Sequence, residues 1–246
     1  MWTPEVKTHE NFTLWVTHEC NMNCVFCRDS ENQPIKGFMT MEEVARSLTH
    51  AKETGIKTVL IGGGEPTLHP NIIEIAQMSK DMGFFTVITT NYTKPESIKA
   101  LDGICDTINI SVYPENKDSI PSQKNFKSNI YLKVLLYKGR FETKEDFDAF
   151  IDRYEQLTPN MGFCCMRGHT EWCEEHKDIE WLNSLPIEKE VMTDRGNPCW
   201  IYRGHVIDRK DLSTFKKAHM MVDVRGLLFD KQGKWVLPEE SEAIIE

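Results

Sequence analysis

Three cysteines fall within eight residues, in Cys20-Asn21-Met22-Asn23-Cys24-Val25-Phe26-Cys27. The Cys-x3-Cys-x2-Cys spacing lets one tight loop turn three thiolates toward a single metal centre. No His or Asp lies at a spacing that completes a usual zinc site. Thiolates are soft ligands that suit iron–sulfur clusters. A cluster with three protein thiolates keeps one iron open, which makes such a site chemical rather than only structural. Two blander readings stay open on spacing alone: three buried cysteines, or a zinc site with a remote fourth ligand. A second segment, Gly62-Gly63-Gly64-Glu65-Pro66-Thr67, can bring backbone close to a ligand because glycine has no Cβ. Taken alone, that run reads as a tight turn.

Both segments sit at predicted strand ends. Residues 12–17 predict a strand that stops just before the cysteines, and residues 57–61 one that stops at the glycines. Helical spacing over 41–54 links them, capped by Thr40 with Glu43 three positions on. The alternation continues with helix 71–82, strand 84–89, helix 94–102, strand 107–112, strand 130–137, helix 143–156 and strand 161–166. Residues 113–129 hold Pro114 and Pro121 and predict an irregular crossover. Six strands separated mostly by helices predict an α/β fold with a parallel sheet, either open or part of a barrel. Such folds place active sites at the C-terminal ends of strands, where both motifs fall. Beyond residue 167 the pattern changes. One strand is expected over 200–207 and two short ones within 222–237. The expected division is a core over 1–166 and a small mixed extension over 167–246.

A chain of 246 residues can bury a sizeable core without staples. With 40% hydrophobic and 27% charged residues, collagen-like, disordered and coiled-coil classes are excluded. No apolar run approaches the roughly 18 residues of a membrane span. A net charge of -9 without a basic cluster disfavours nucleic acid as a partner. The N-terminal residues lack a secretory signal, so the expected location is the cytoplasm. There, clustered cysteines bind metal or do chemistry more often than they form disulfides.

The pattern Cys-x3-Cys-x-aromatic-Cys after a first strand, here Cys20, Cys24, Phe26 and Cys27, with Gly62 to Thr67 after the second, resembles the radical S-adenosylmethionine (radical SAM) superfamily. The resemblance covers roughly residues 11–166. It implies a partial (β/α)6 TIM-like barrel, open on one side. It also implies that Cys20, Cys24 and Cys27 hold a [4Fe–4S] cluster whose fourth iron is chelated by S-adenosyl-L-methionine (SAM). One electron, from a donor such as flavodoxin or ferredoxin, then splits SAM into methionine and a 5′-deoxyadenosyl radical that takes hydrogen from a substrate. By the same resemblance Phe26 lies near the adenine, and Gly62, Gly63, Gly64 and Glu65 near the methionyl amine. Asn91 and Ser111 end strands within reach of the ribose or the SAM carboxylate. Lys133 is a candidate partner for a carboxylate, and Met166 borders the adenine. The family often has Asn-Gly where this chain has Asn91-Tyr92.

Five cysteines remain. Cys105 is expected to be a small buried residue. Some radical SAM enzymes carry a second iron–sulfur cluster in an extension; here Cys165, Cys173 and Cys199 are the candidate ligands, with His169, His176 or His205 as a fourth. The Cys-x2-Cys pairs of such extensions are missing. The extension is expected to cover the open side of the barrel. Its Arg167, His169, Trp172, Trp200, Tyr202, Arg203 and His205 are expected to wall a substrate pocket. The first strand begins at about residue 12 with no leader-recognition domain before it, which favours a small-molecule substrate. The alternatives are a maturase or activase acting on a peptide or protein, and a non-enzymatic iron–sulfur or zinc protein.

Overall fold

The structure, a computed structural model, describes residues 11–27, 37–166, 170–192, 198–208, 220–222, 228–229 and 235–236. Six parallel strands lie side by side in chain order: β1 (Asn11–Thr17), β2 (Thr58–Gly63), β3 (Phe85–Thr90), β4 (Thr107–Val112), β5 (Asn129–Leu136) and β6 (Met161–Cys165). Helices α1 (Met41–Glu53), α2 (Ile72–Asp81), α3 (Pro95–Leu101) and α4 (Lys144–Glu155) cross between them. The β4–β5 crossover carries a 3₁₀ turn at Gln123–Asn125 in place of a helix, as its prolines predict. Thr40 and Thr143 each accept a backbone hydrogen bond from three residues on, while Glu43 and Asp146 reach back, so the capping box expected at Thr40 closes and a second one closes at Thr143. This is the partial (β/α)6 barrel expected from the sequence.

Strand alternation sorts the two faces of the sheet. On β5, Ile130, Leu132, Val134 and Leu136 are buried beneath the helices, whereas Tyr131, Lys133 and Leu135 point the other way and are half-exposed. Register carries this division across neighbouring strands. Asn109 and Ser111 of β4 lie beside Tyr131 and Lys133, and Cys164 of β6 lies beside Leu135. The convex, helix-covered face is therefore apolar and the concave face is polar.

The sheet continues beyond both ends of the six-strand core. Next to β6 come β9 (His205–Asp208), β8 (Pro198–Tyr202) and β7 (Lys189–Met192); next to β1 come β10 (Met220–Val222), β11 (Leu228–Phe229) and β12 (Trp235–Val236). A short helix, α5 (Glu171–His176), follows β6. The single strand expected over 200–207 is in fact a hairpin. Arg203 (φ 50°) and Gly204 (φ 74°) form a two-residue left-handed turn, the kind that matches strand twist. Strand-forming apolar residues flank the turn closely, Trp200 to Tyr202 before it and Val206 and Ile207 after it, so the sequence reads as one strand. β7 and β10 span four and three residues, too short for a periodic signal. Among the described residues no helix is long and apolar enough to cross a membrane.

The β8–β9 hairpin docks on α4. The Tyr202 hydroxyl donates to Asp148 Oδ1 at 2.6 Å, Arg203 Nη2 pairs with Asp152 at 2.5 Å, and His205 Nε2 meets Glu155 at 2.7 Å. Tyr202 also stacks on Phe147 with centroids 6.0 Å apart, and Trp200 packs on the core. Burial acts to raise the pKa of Asp148, but hydrogen bonds from Lys144 and Tyr202 outweigh it, so the carboxyl titrates below its usual value. A lowered folded pKa gives stability that is present above the ordinary aspartate value of about 3.9 and is lost as pH falls through the folded value. Asp148→Asn is therefore expected to lower the melting temperature at pH 7 and to flatten its decline in acid. Thermal unfolding from pH 7 to pH 3 checks this, and an acid decline as steep as that of wild type would contradict it.

Candidate functional site

The cysteine loop is positioned by the glycine turn at the adjacent strand end. Gly64 N–H donates to Thr17 O at 2.9 Å and Glu65 N–H to Glu19 O at 2.8 Å, extending the β1–β2 pairing past both strands. A Cβ on Gly63 would lie 2.1 Å from Thr17 O, and one on Gly64 2.3 Å from Glu19 O. Gly63 also has φ 128°, a conformation that disfavours other residues. These two glycines therefore admit the protein's own backbone. Gly62 differs: a Cβ there would meet nothing within 4 Å, so this position leaves room beside the loop.

Glu65 is the hub beneath the loop. Its side chain, in a residue only 1% exposed, accepts four hydrogen bonds. Thr67 N–H (3.1 Å), Thr67 Oγ1 (2.5 Å) and Thr90 Oγ1 (2.8 Å) reach Oε1, and Asn91 N–H reaches Oε2 at 2.7 Å. Asn91 then passes the constraint on. Its Nδ2 donates to Asn21 Oδ1 at 2.9 Å, inside the cysteine loop, and its Oδ1 accepts from Thr93 N–H and Oγ1. Asn116 ties in the end of β4 by donating to both Asn91 O and Ser111 O at 2.8 Å. Tyr92 has φ 60°, so it keeps the left-handed conformation that glycine would adopt more easily, with its N–H on Thr90 Oγ1 at 3.0 Å. Both Glu65 and Asn91 thus engage protein partners.

Cys20 is exposed, while Cys24 and Cys27 are half-buried. Burial raises the Cys24 thiol to about 11, and the nearby Cys27, Cys20 and Glu115 add to the rise. Burial also raises Cys20, with Glu65 and Cys27 contributing against a backbone hydrogen bond from Met22. Rings gather behind the loop. Phe26 lies 6.0 Å from Tyr113, 5.8 Å from Tyr137 and 6.2 Å from Trp172, and the Cys173 thiol donates to Phe26 O at 3.9 Å. Burial pushes Tyr113 up to about 12, and the nearby Cys24 adds to the rise against a hydrogen bond from Ser111. Tyr113, Tyr137, Asn21 and Asn116 escape the sequence reading. The two tyrosines directly follow β4 and β5, which is the one signal that points to them.

The other candidates separate. Ser111 and Lys133 are in-register neighbours on the concave face of central strands, so Lys133 is neither a sheet-edge nor an outer-surface lysine. Met166 is 5% exposed and prolongs the β5–β6 pairing through its N–H to Leu136 O at 2.8 Å. Trp172 reaches the cysteine loop. Trp200, Tyr202, Arg203 and His205 belong instead to the hairpin packed on α4, because alternation turns that side of the hairpin toward the helix; their expected place in a pocket wall is corrected accordingly. Arg167 and His169 lie outside the described residues. Cys165, Cys173 and Cys199 do not converge. Cys173 touches the cysteine loop, whereas Cys199 shares a sheet face with Cys164 and so lies opposite Cys165. Among the described residues, no three His, Cys, Asp or Glu side chains, the cysteine loop included, are gathered as a metal ion would need.

The family model of the radical SAM superfamily matches residues 16–113. A protein of Saccharolobus islandicus named "Probable GTP 3',8-cyclase" is 30% identical over 218 residues, covering 78% of this chain and 70% of its own length. A Pyrococcus horikoshii protein of the same name is 36% identical over 106 residues, 42% of this chain; the match spans about a third (34%) of that relative's length. Among solved structures, Streptococcus suis SuiB bound to S-adenosylmethionine aligns with a TM-score of 0.53 at 19% identity, over 66% of this chain and 41% of SuiB. Native anSMEcpe with bound AdoMet aligns at 0.51 and 14% identity, over 62% and 50%. This chain belongs to the radical SAM superfamily. It is an enzyme domain of the class that cleaves SAM and generates a radical, which sets aside the non-enzymatic reading.

The division of the glycine run predicts a graded mutational series. Gly63→Ala and Gly64→Ala each force backbone to move and are expected to cost about 1–3 kcal/mol or more. Gly62→Ala is expected to leave the melting temperature unchanged. Denaturant unfolding of the three variants measures this, and equal losses at all three positions would contradict the division.

Proposed function

We propose that this chain reductively cleaves SAM at a [4Fe–4S] cluster held by Cys20, Cys24 and Cys27, and directs the resulting radical at a small polar substrate on the concave face. The observation that carries this reading is a three-thiol loop and the open Gly62 position at the C-terminal ends of β1 and β2, with a polar concave face of Asn109, Ser111, Tyr131 and Lys133 running back from the ends of β4 and β5. The donor set suits the cluster. Three soft thiols come from one loop, and a bound cationic metal group would take the place of their protons. When bound, the cluster and its open iron supply the electron that breaks SAM into methionine and a 5′-deoxyadenosyl radical.

The chain's own residues do the rest. Phe26, Tyr113, Tyr137 and Trp172 offer flat apolar faces for an adenine ring and exclude water beside the thiols. Gly62 leaves space for the methionyl part. Lys133 offers a positive charge to a carboxylate, with Ser111 beside it. The Glu65–Asn91–Asn21 chain holds the loop against the strand ends. The core over 1–166 carries the SAM chemistry, and Trp172 of the extension stands at the mouth beside Phe26. A small-molecule substrate is favoured by the polar concave face and by the relatives, whose name specifies GTP. The electron donor is a flavodoxin- or ferredoxin-like protein.

Anaerobically reconstituted and reduced protein is expected to convert SAM to 5′-deoxyadenosine slowly without any substrate. Replacing Cys20, Cys24 and Cys27 together with Ala should abolish both that product and the cluster's electron paramagnetic resonance signal. Product formation at the wild-type rate by the triple variant would overturn the assignment.

A further inference from the structure

Four reactive groups that take no part in holding SAM lie together on the concave face. Tyr131 of β5 leans across β6, where a Cβ on Gly162 would sit 2.0 Å from its hydroxyl. Cys164 of β6 pairs in register with Asp208 of β9, and Asp208 with Cys199 of β8. In-register residues share a face, and Cys164 shares its own with Leu135, hence with Tyr131 and Lys133. The preceding residue, Phe163, packs on Phe147 of α4 at 4.7 Å, which turns Cys164 away from the helices and toward the concave side. Beyond the effect of burial, the Tyr131 hydroxyl senses Cys164, Asp208 and Cys199. Cys164 is half-exposed, whereas Cys199 is 1% exposed.

These groups do not form a metal set among the described residues. A Cys164–Cys199 disulfide is out of reach as well. The strand between them separates their Cα atoms by two strand spacings, about 9–10 Å, against a usual limit of about 7 Å. What the groups share is hydrogen held more weakly than in a C–H bond. Thiol S–H and phenol O–H both give up a hydrogen atom to a carbon radical, and a carboxylate alongside can handle the phenolic proton.

We propose that Cys164 is the hydrogen-atom donor of the concave chamber and that Tyr131 resupplies it. The proposal rests on the radical reading above and deepens it. A carbon radical in the chamber takes the hydrogen atom of the Cys164 thiol: a C–H bond forms, the S–H bond breaks and the unpaired electron moves to sulfur. The thiyl takes the hydrogen atom of the Tyr131 hydroxyl, which restores the thiol and leaves a tyrosyl radical. One electron from the reductant that serves the enzyme, a low-potential one-electron donor, and one proton through Asp208 return that radical to tyrosine. The substrate class is thereby narrowed to molecules whose product radical is quenched by a solvent-exchangeable hydrogen, with SAM consumed in each turnover.

The test needs no substrate, because the 5′-deoxyadenosyl radical of uncoupled turnover is itself a carbon radical. Reconstituted enzyme, SAM and dithionite are incubated in D2O, and the deuterium in 5′-deoxyadenosine is read by mass spectrometry. Wild type is expected to give mostly singly deuterated product. Cys164→Ser and Cys164→Ala are expected to lose most of that label while still forming 5′-deoxyadenosine. Tyr131→Phe should keep the label in the first turnover and slow the later ones. Independently of turnover, iodoacetamide should alkylate Cys164 in the folded, cluster-free protein and spare Cys199. Undiminished label in both Cys164 variants, unlabelled product from wild type, or a protected Cys164 would each overturn the donor role while the radical reading stands. No 5′-deoxyadenosine from protein with an intact reduced cluster would overturn the radical reading and the donor role with it.

Discussion

The Glu65 carboxylate is the constraint on which the mouth of this sheet depends. A carboxylate in a residue 1% exposed to solvent is costly to bury unless donors surround it. Here the donors come from its own turn, Thr67, and from the end of the next strand, Thr90 and Asn91. Satisfying that one group joins the β2 and β3 ends. Through Asn91 and Asn21 it also fixes the cysteine loop that leaves β1. Charge-assisted hydrogen bonds are stronger than neutral ones, so the most demanding group sits where three segments must be held in register.

Period-two alternation supplies the second half of the design. The same strands that bury Ile130, Leu132 and Val134 under the helices present Tyr131, Lys133 and Leu135 to the concave side. Stability and chemistry are thus written in alternate positions of one strand. The convex face can be a continuous apolar core, and the concave face can carry Asn109, Ser111, Lys133 and Cys164 without weakening it. The β8–β9 hairpin follows the same logic, turning Tyr202 and His205 to the acidic side of α4.

Much of this was legible in the sequence. The cap at Thr40, short apolar strands and their order give six βα units, because each device is local. The Cys20–Cys27 spacing and the glycine turn were legible for the same reason. What was hidden depends on contacts distant in sequence. The Gly62–Gly64 run reads as one ligand-facing edge, yet two of its members exist for Thr17 and Glu19. Asn91 reads as a ligand contact, yet its amide is engaged with Asn21, 70 residues away. Trp200 and Arg203 read as pocket residues from their types alone; a two-residue turn at Arg203 and Gly204 instead sets Arg203 on α4, while Trp200 packs on the core. The extension's cysteines resemble a ligand set only while the faces of their strands are unknown.

Glu65 organises the cysteine loop from below. Glu65→Gln tests this role most directly, since the amide matches the carboxylate in shape but must present an N–H to a site of four donors. At least one donor, Asn91 N–H or the Thr67–Thr90 pair, then loses its acceptor, at a cost of about 1–3 kcal/mol. Hydrogen–deuterium exchange of the cluster-free protein reads the consequence segment by segment. Faster exchange is expected in residues 19–27 and 91–93, with the helix-covered strand interiors unchanged. Exchange in the cysteine loop identical to that of wild type would contradict this role.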